Sequence, residues 1–206
     1  EANPDWLQRA KQGADFLLKY GRNEAGDWYF ALRQDGKPLT QAYNIFSDCF
    51  AAMAFSALHR VSAQEIYAKT AKNTFNRILE RRENPKGKYN KHIAENRPLR
   101  NFSLPMILCN LSLEMEHLLD AVQVEEVIDD VLYEVMHVFL NKEKMLIYEN
   151  VLPDGSFSDT FDGRLMNPGH AIEAMWFVMD LANRRNDEHL FKTAAEVAFS
   201  TLEFGW

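Results

Sequence analysis

The sequence predicts an all-α chain of helical pairs. Apolar residues recur at helical spacing in seven segments, polar or Gly/Pro stretches separate them, and strand-like alternation is too rare for a parallel sheet. The first segment runs from Pro4 to Tyr20. Trp6, Leu7, Ala10, Ala14, Leu17 and Leu18 keep a helical period there, and Gly21 stops it. Residues 27–33 alternate bulky and small side chains before Asp35-Gly36, the pattern of a short hairpin. Six more helices are expected over 45–58, 66–79, 104–119, 122–140, 171–182 and 190–202. This repeated alternation of long helix, loop and long helix permits a toroid or a solenoid. Two connections, 83–101 and 141–167, exceed what a helical bundle spends on turns, and long loops in compact domains are places for function.

Composition narrows the class. The 206 residues are 47% hydrophobic and 26% charged, which excludes disordered and fibrous classes. With 23 Lys+Arg against 30 Asp+Glu the net charge is −7, and the basic residues are scattered, so nucleic acid is not an expected partner. No apolar run approaches the roughly 18 residues of a membrane span, and the first residues carry charges every few positions, so neither a membrane nor an export signal is expected. Cys49 and Cys109 lie in apolar surroundings without disulfide or metal spacing. They read as reduced core thiols of a cytoplasmic protein.

The most informative segment is 163–176, Gly-Arg-Leu-Met-Asn-Pro-Gly-His-Ala-Ile-Glu-Ala-Met-Trp. Asn167 suits an N-cap and Pro168 the first helical position, which puts His170 in the first turn, where the helix dipole favours a neutral imidazole. On the wheel, Ile172, Met175, Trp176 and Met179 share one face and His170, Glu173 and Phe177 the other. Both faces are largely apolar, so the helix is expected to be buried on both sides, with His170 paired to Glu173 at i and i+3. Such a pair is either a structural core pair or a general base oriented by a carboxylate.

Other candidates rank lower. Glu114-x-x-His117 and Glu134-x-x-His137 match the ligand spacing of di-metal bundles. Each histidine, however, points away from its helix's apolar stripe, and no metal or other cofactor is expected. His59, His92 and His189 read as solvated. Among the aromatics, Trp28 and Tyr29 are the better candidates for stacking on a sugar, with Arg164 as a further pocket residue, although a core position is the commoner fate of such rings. Phosphate-loop and nucleophile-elbow motifs are missing from the sequence.

The run GRLMNPGHAIEAMWF resembles the N-acylglucosamine 2-epimerase family signature Gly-Arg-x-x-Asn-Pro-Gly-His-x-x-Glu-Ala-x-Trp-Phe. Tyr148-Glu-Asn-Val151 with Asp154-Gly155 resembles its lead-in, and Gly26-Asp-Trp-Tyr-Phe30 and Ser103-Leu-Pro-Met-Ile-Leu108 are similar to further family patterns. The resemblance implies an (α/α)6 barrel of six inner and six outer helices around a sugar pocket. It implies interconversion of N-acetylglucosamine and N-acetylmannosamine, with a histidine removing the C2 proton of the open-chain sugar and a second histidine returning one to the opposite face. His170 matches the first histidine, with Glu173 as its neighbour and Arg164 and Asn167 in the pocket. Where the family carries an arginine on an early inner helix, residues 43–50 read Tyr-Asn-Ile-Phe-Ser-Asp-Cys-Phe, which makes Asp48 a substrate-binding candidate. Nothing here corresponds to the second histidine, and about seven of twelve helices are counted. The expectation is a single partial barrel domain over 1–206, roughly its first half, acting on an N-acetylhexosamine and forming a homodimer. Two alternatives stand beside it: a non-catalytic half-toroid that dimerises, or a carbohydrate hydrolase using two of Asp48, Glu149, Asp159 and Glu173.

Overall fold

The computed structural model describes residues 3–91, 93 and 95–206, and its chain forms two compact units, 1–91 and 92–206. Each unit is organised around a helical hairpin. In the first, α1 (Pro4–Tyr20) is capped by the Asn3 side chain, which accepts from the Asp5 N–H, and ends at Gly21. A two-stranded ribbon follows, β1 (Ala31–Leu32) antiparallel to β2 (Pro38–Thr40), turning through Asp35-Gly36 as the sequence predicts. Gly36 has φ +86°, and a Cβ there would stand 2.5 Å from the Tyr20 ring, so the turn needs glycine twice over. Then α2 (Ile45–Ser62) and α3 (Glu65–Arg81) pack along each other, joined by Ala63 in the left-handed region. Small residues at the seam, Ala52, Ala68 and Ala71, let the two backbones approach. Phe55 fills the space beside them, with ring centroids 5.5 Å from Trp28 and 5.9 Å from Tyr67.

The second unit contains α4 (Ser103–Met115), α5 (Ala121–Tyr133), α6 (Pro168–Arg185) and α7 (Glu188–Gly205). The pair α6 and α7 turns at Asn186, which is left-handed, and Asp187, which caps α7. Its core joins Leu111, Met115, Ile128, Met175, Val178 and Val197, with Phe102 and Phe139 ring to ring at 5.3 Å. Parts of the long connections are folded. β3 (Arg100–Asn101) pairs antiparallel with β6 (Asn150–Val151), and β4 (Leu140–Asn141) with β5 (Leu146–Ile147).

Two expectations need correction. The helix expected over 122–140 is α-helical to Tyr133 and then becomes a π-helix over Glu134–Phe139. The wider turn buries Val135, Met136 and Phe139 together and leaves His137 outside, stacked on Tyr133 with its Nδ1 3.2 Å from the Lys142 Nζ. Helix α6 is not buried on both sides. Ala171, Ala174, Met175, Val178 and Leu181 face the core, whereas Ile172, Glu173 and Trp176 are exposed. Periodicity counts apolar residues; it does not say which of them a neighbour covers.

Candidate functional site

The N-terminus of α6 places the candidate histidine. Asn167 sits in extended backbone, and its Oδ1 accepts from the His170 N–H at 3.4 Å, with Pro168 at the first helical position. The imidazole therefore projects from the first turn, half-buried, with 36% of its side chain exposed. Its Nδ1 stands 3.1 Å from both oxygens of Glu149, a carboxylate 21 positions earlier and 6% exposed. The expected partner, Glu173, is exposed one turn further along the helix. The pairing of His170 is thus with Glu149, not with Glu173.

Glu149 is held from several sides. The Ser103 Oγ, on the first residue of α4, donates to its Oε1 at 3.0 Å. Its backbone carbonyl accepts from the Phe102 N–H at 3.0 Å and the Asn101 Nδ2 at 3.3 Å, and its own N–H donates to the Leu165 carbonyl at 3.2 Å. The β3–β6 register, Asn101 opposite Asn150, sets these contacts. The starts of two helices thereby converge on one buried carboxylate, where their positive dipole ends favour the anion. Next to it, the 158–167 loop turns at Gly163, where any Cβ would collide with the Ser158 carbonyl. The motif glycine is required by that close approach.

Other predicted residues fall as follows. Arg164 is exposed and its Nε donates to Asp159 at 2.7 Å, so its guanidinium is engaged on the loop surface. In the first unit, Trp28 is 3% exposed with its indole N–H donating to the Thr74 Oγ1 at 3.1 Å. That is a core ring, not the open stacking platform expected of it. Tyr29 is half-buried, its N–H on the Gly21 carbonyl. Asp48, 1% exposed, faces Arg81 at 3.4 Å, and Arg81 also reaches Asp27 at 3.0 Å, which Arg77 meets at 2.6 Å. Burial raises the Asp48 carboxyl to about 6 against the opposing pull of Arg81, while hydrogen bonds from Arg77 and Asn23 outweigh desolvation and hold Asp27 below the usual range. His117 and His137 are both exposed, and His92 lies outside the described residues. A cavity of about 260 Å³ lies between Phe139, Lys142, Tyr148 and Phe157, and its lining does not include His170.

Sequence reasoning did not find the roles of Glu149 and Ser103. The lead-in Tyr148-Glu-Asn-Val151 and the Ser103-Leu-Pro run carried a family signal, but neither motif indicated a contact with His170.

Solved structures of two cellobiose 2-epimerases are among those that share this fold. Cellobiose 2-epimerase from Bacillus thermoamylovorans matches with a TM-score of 0.78 at 16% identity, over 96% of this chain and 55% of that one. The cellobiose 2-epimerase of Spirochaeta thermophila matches at 0.74 and 15%, over 98% and 53%. These define the class: an all-α chain of the (α/α)6 barrel fold, covering about half of such a barrel protein. The chain belongs to the N-acylglucosamine 2-epimerase family, whose model matches residues 1–206. The N-acylglucosamine 2-epimerase of Rattus norvegicus is 31% identical over 209 residues, 97% of this chain and 49% of that protein. That of Bos taurus is 31% identical over 194 residues, 91% and 45%. The chain spans about half the length of the curated relatives it matches. Among the described residues, no helix is long and apolar enough to cross a membrane.

Proposed function

We propose that this chain supplies one of the two proton-transfer groups of a sugar 2-epimerase that interconverts N-acetylglucosamine and N-acetylmannosamine. In this reading the sugar opens to its aldehyde and the His170 imidazole removes the proton at C2, which is acidified by the neighbouring carbonyl. The C–H electron pair forms a C1–C2 double bond and the carbonyl pair moves onto the aldehyde oxygen, giving an enolate that keeps the acetamido group on C2. Reprotonation of C2 from the opposite face completes the inversion. The carrying observation is His170 itself: a half-exposed imidazole at a capped helix start, its Nδ1 taken by a carboxylate and its Nε2 left for chemistry. The choice of an N-acetylhexosamine rests on the relatives' names.

Glu173, Arg164 and Asn167 flank His170 in sequence and are exposed, which suits contacts to sugar hydroxyls. The buried position of Trp28 makes it a support for the first unit, and the same holds for Asp48. Residues 1–206 are in this reading a partial (α/α)6 domain, and the second histidine comes from outside them. The two buried free thiols fit a reducing, cytoplasmic setting. The exposed apolar residues of α7, Phe199, Leu202 and Phe204, form a patch that the rest of a barrel or a second copy of the chain would cover, and a homodimer is part of this reading. The same patch is what a non-catalytic dimerising role would use, and light scattering showing a monomer would remove the support for both.

The test of the enzymatic reading is incubation of a longer protein, one that carries these residues together with the second histidine, with N-acetylmannosamine in deuterium oxide. One deuteron at C2 is expected. Incorporation into mannose or cellobiose instead would change the substrate, and none into any of the three would overturn the reading.

A further inference from the structure

We infer that Glu149 is a positioning residue that fixes His170 as the Nδ1–H tautomer and so makes Nε2 the proton-accepting atom. The inference rests on the proposed reading of His170 as a base, and deepens it.

An ionised carboxylate only accepts hydrogen bonds, so the Nδ1 that stands 3.1 Å from both Glu149 oxygens is the donor. A neutral imidazole carries one N–H. With that proton on Nδ1, the lone pair is on Nε2, the ring nitrogen turned away from the carboxylate. The bond is strong in specifying power because Glu149 cannot follow the ring. Its carbonyl is tied to Phe102 and Asn101, its N–H to Leu165, and its Oε1 to Ser103. Asn101 strengthens the coupling, since its Oδ1 accepts the Ser103 N–H at 3.1 Å while its Nδ2 reaches the Glu149 carbonyl. One short strand pair thus aligns the start of α4, the carboxylate and, through the carboxylate, the imidazole on α6. The arrangement has the roles of a hydroxyl–carboxylate–imidazole relay in which the carboxylate orients and the imidazole reacts. Glu173, exposed on the same helix, is left available for substrate.

The tautomer is read directly by long-range proton–nitrogen correlation spectra of the full chain labelled with ¹⁵N-histidine, at a pH of about 8.5, where an ordinary imidazole is neutral. The wild-type ring of His170 is expected to show a protonated Nδ1 and an unprotonated Nε2. Glu149→Gln keeps the shape but replaces one acceptor by an NH₂ donor, and is expected to shift His170 toward the Nε2–H form. Ser103→Ala leaves both carboxylate oxygens and keeps the Nδ1–H form. In the C2 exchange assay, Glu149→Gln is expected to lower kcat about 10- to 100-fold with KM within about twofold. A wild-type ring in the Nε2–H form, or a Glu149→Gln variant with an unchanged tautomer and wild-type exchange, overturns the inference. A wild-type Nδ1–H ring that Glu149→Gln shifts, with no C2 exchange by any version, upholds the positioning role and removes the epimerase reading. The two failures are therefore distinguishable.

Discussion

The two units each gather charge around a helix start, with opposite outcomes. In the first, Asp27 and Asp48 meet Arg77 and Arg81, two anions against two cations, with Asp48 fully enclosed. The cluster is closed: its groups serve one another, and it fastens the 27–28 segment, α2 and α3 together. In the second, one buried carboxylate meets a serine hydroxyl and an imidazole that stays one-third exposed. That cluster is open, because the imidazole has a second nitrogen. The comparison teaches that burial of an acid is not itself a mark of function. Asp48 is a carboxyl that burial pushes up, yet Glu149 is the one that holds a group with a spare reactive atom.

The largest expected effect breaks the closed cluster. Arg81→Met leaves Asp48 buried without its cation, and removing one partner of a buried pair costs about 3–5 kcal/mol. The urea midpoint of the first unit should fall accordingly, and an unchanged midpoint would show that Arg81 is dispensable. Next comes the pH dependence of Asp48, which faces Arg81, Asp27, Arg77 and the Trp28 N–H. Its folded value of about 6 lies above the ordinary aspartate value of about 3.9, so the folded state binds the proton more tightly. The cost of ionising it appears as pH rises from about 4 through about 6, at most about 3 kcal/mol, and is absent below that window. Asp27 behaves oppositely, its stabilisation being lost only as pH falls below the ordinary carboxylate range. Urea titrations between pH 4 and 7 should thus show a stability loss on going up in pH that Asp48→Asn flattens. The smallest effect belongs to the open cluster: Ser103→Ala should cost about 1 kcal/mol, the loss of one hydrogen bond to a carboxylate that keeps other partners. A loss as large as that of Arg81→Met would erase the distinction between the clusters.

Local signals in the sequence specified much of this molecule. Asn167-Pro168 marks the start of α6 because capping and proline chemistry act within a few residues, and Asp35-Gly36 marks its turn for the same reason. His137 is outward as its helical phase predicts, although the helix widens there into a π-turn that no proline or glycine announces. What the sequence hid was long-range. Glu149 reaches His170 through a two-residue strand pairing fixed by Asn101 and Asn150, and no periodicity encodes that register. The i+3 spacing of Glu173 offered a local partner that the helix instead turns to solvent. Trp28 lies beside a loop and yet is enclosed, because its N–H is met by Thr74 on α3, a contact 46 positions away that no local pattern announces.

The central claim is that His170 moves the C2 proton. Deuterium incorporation at C2 of N-acetylmannosamine by the longer protein that includes the second histidine, and by its His170→Ala variant, tests it most directly, with circular dichroism confirming that the variant folds. A general base contributes roughly 10²–10⁴-fold, so exchange should fall by at least about 10²-fold in the variant. Exchange by His170→Ala at the wild-type rate would contradict it.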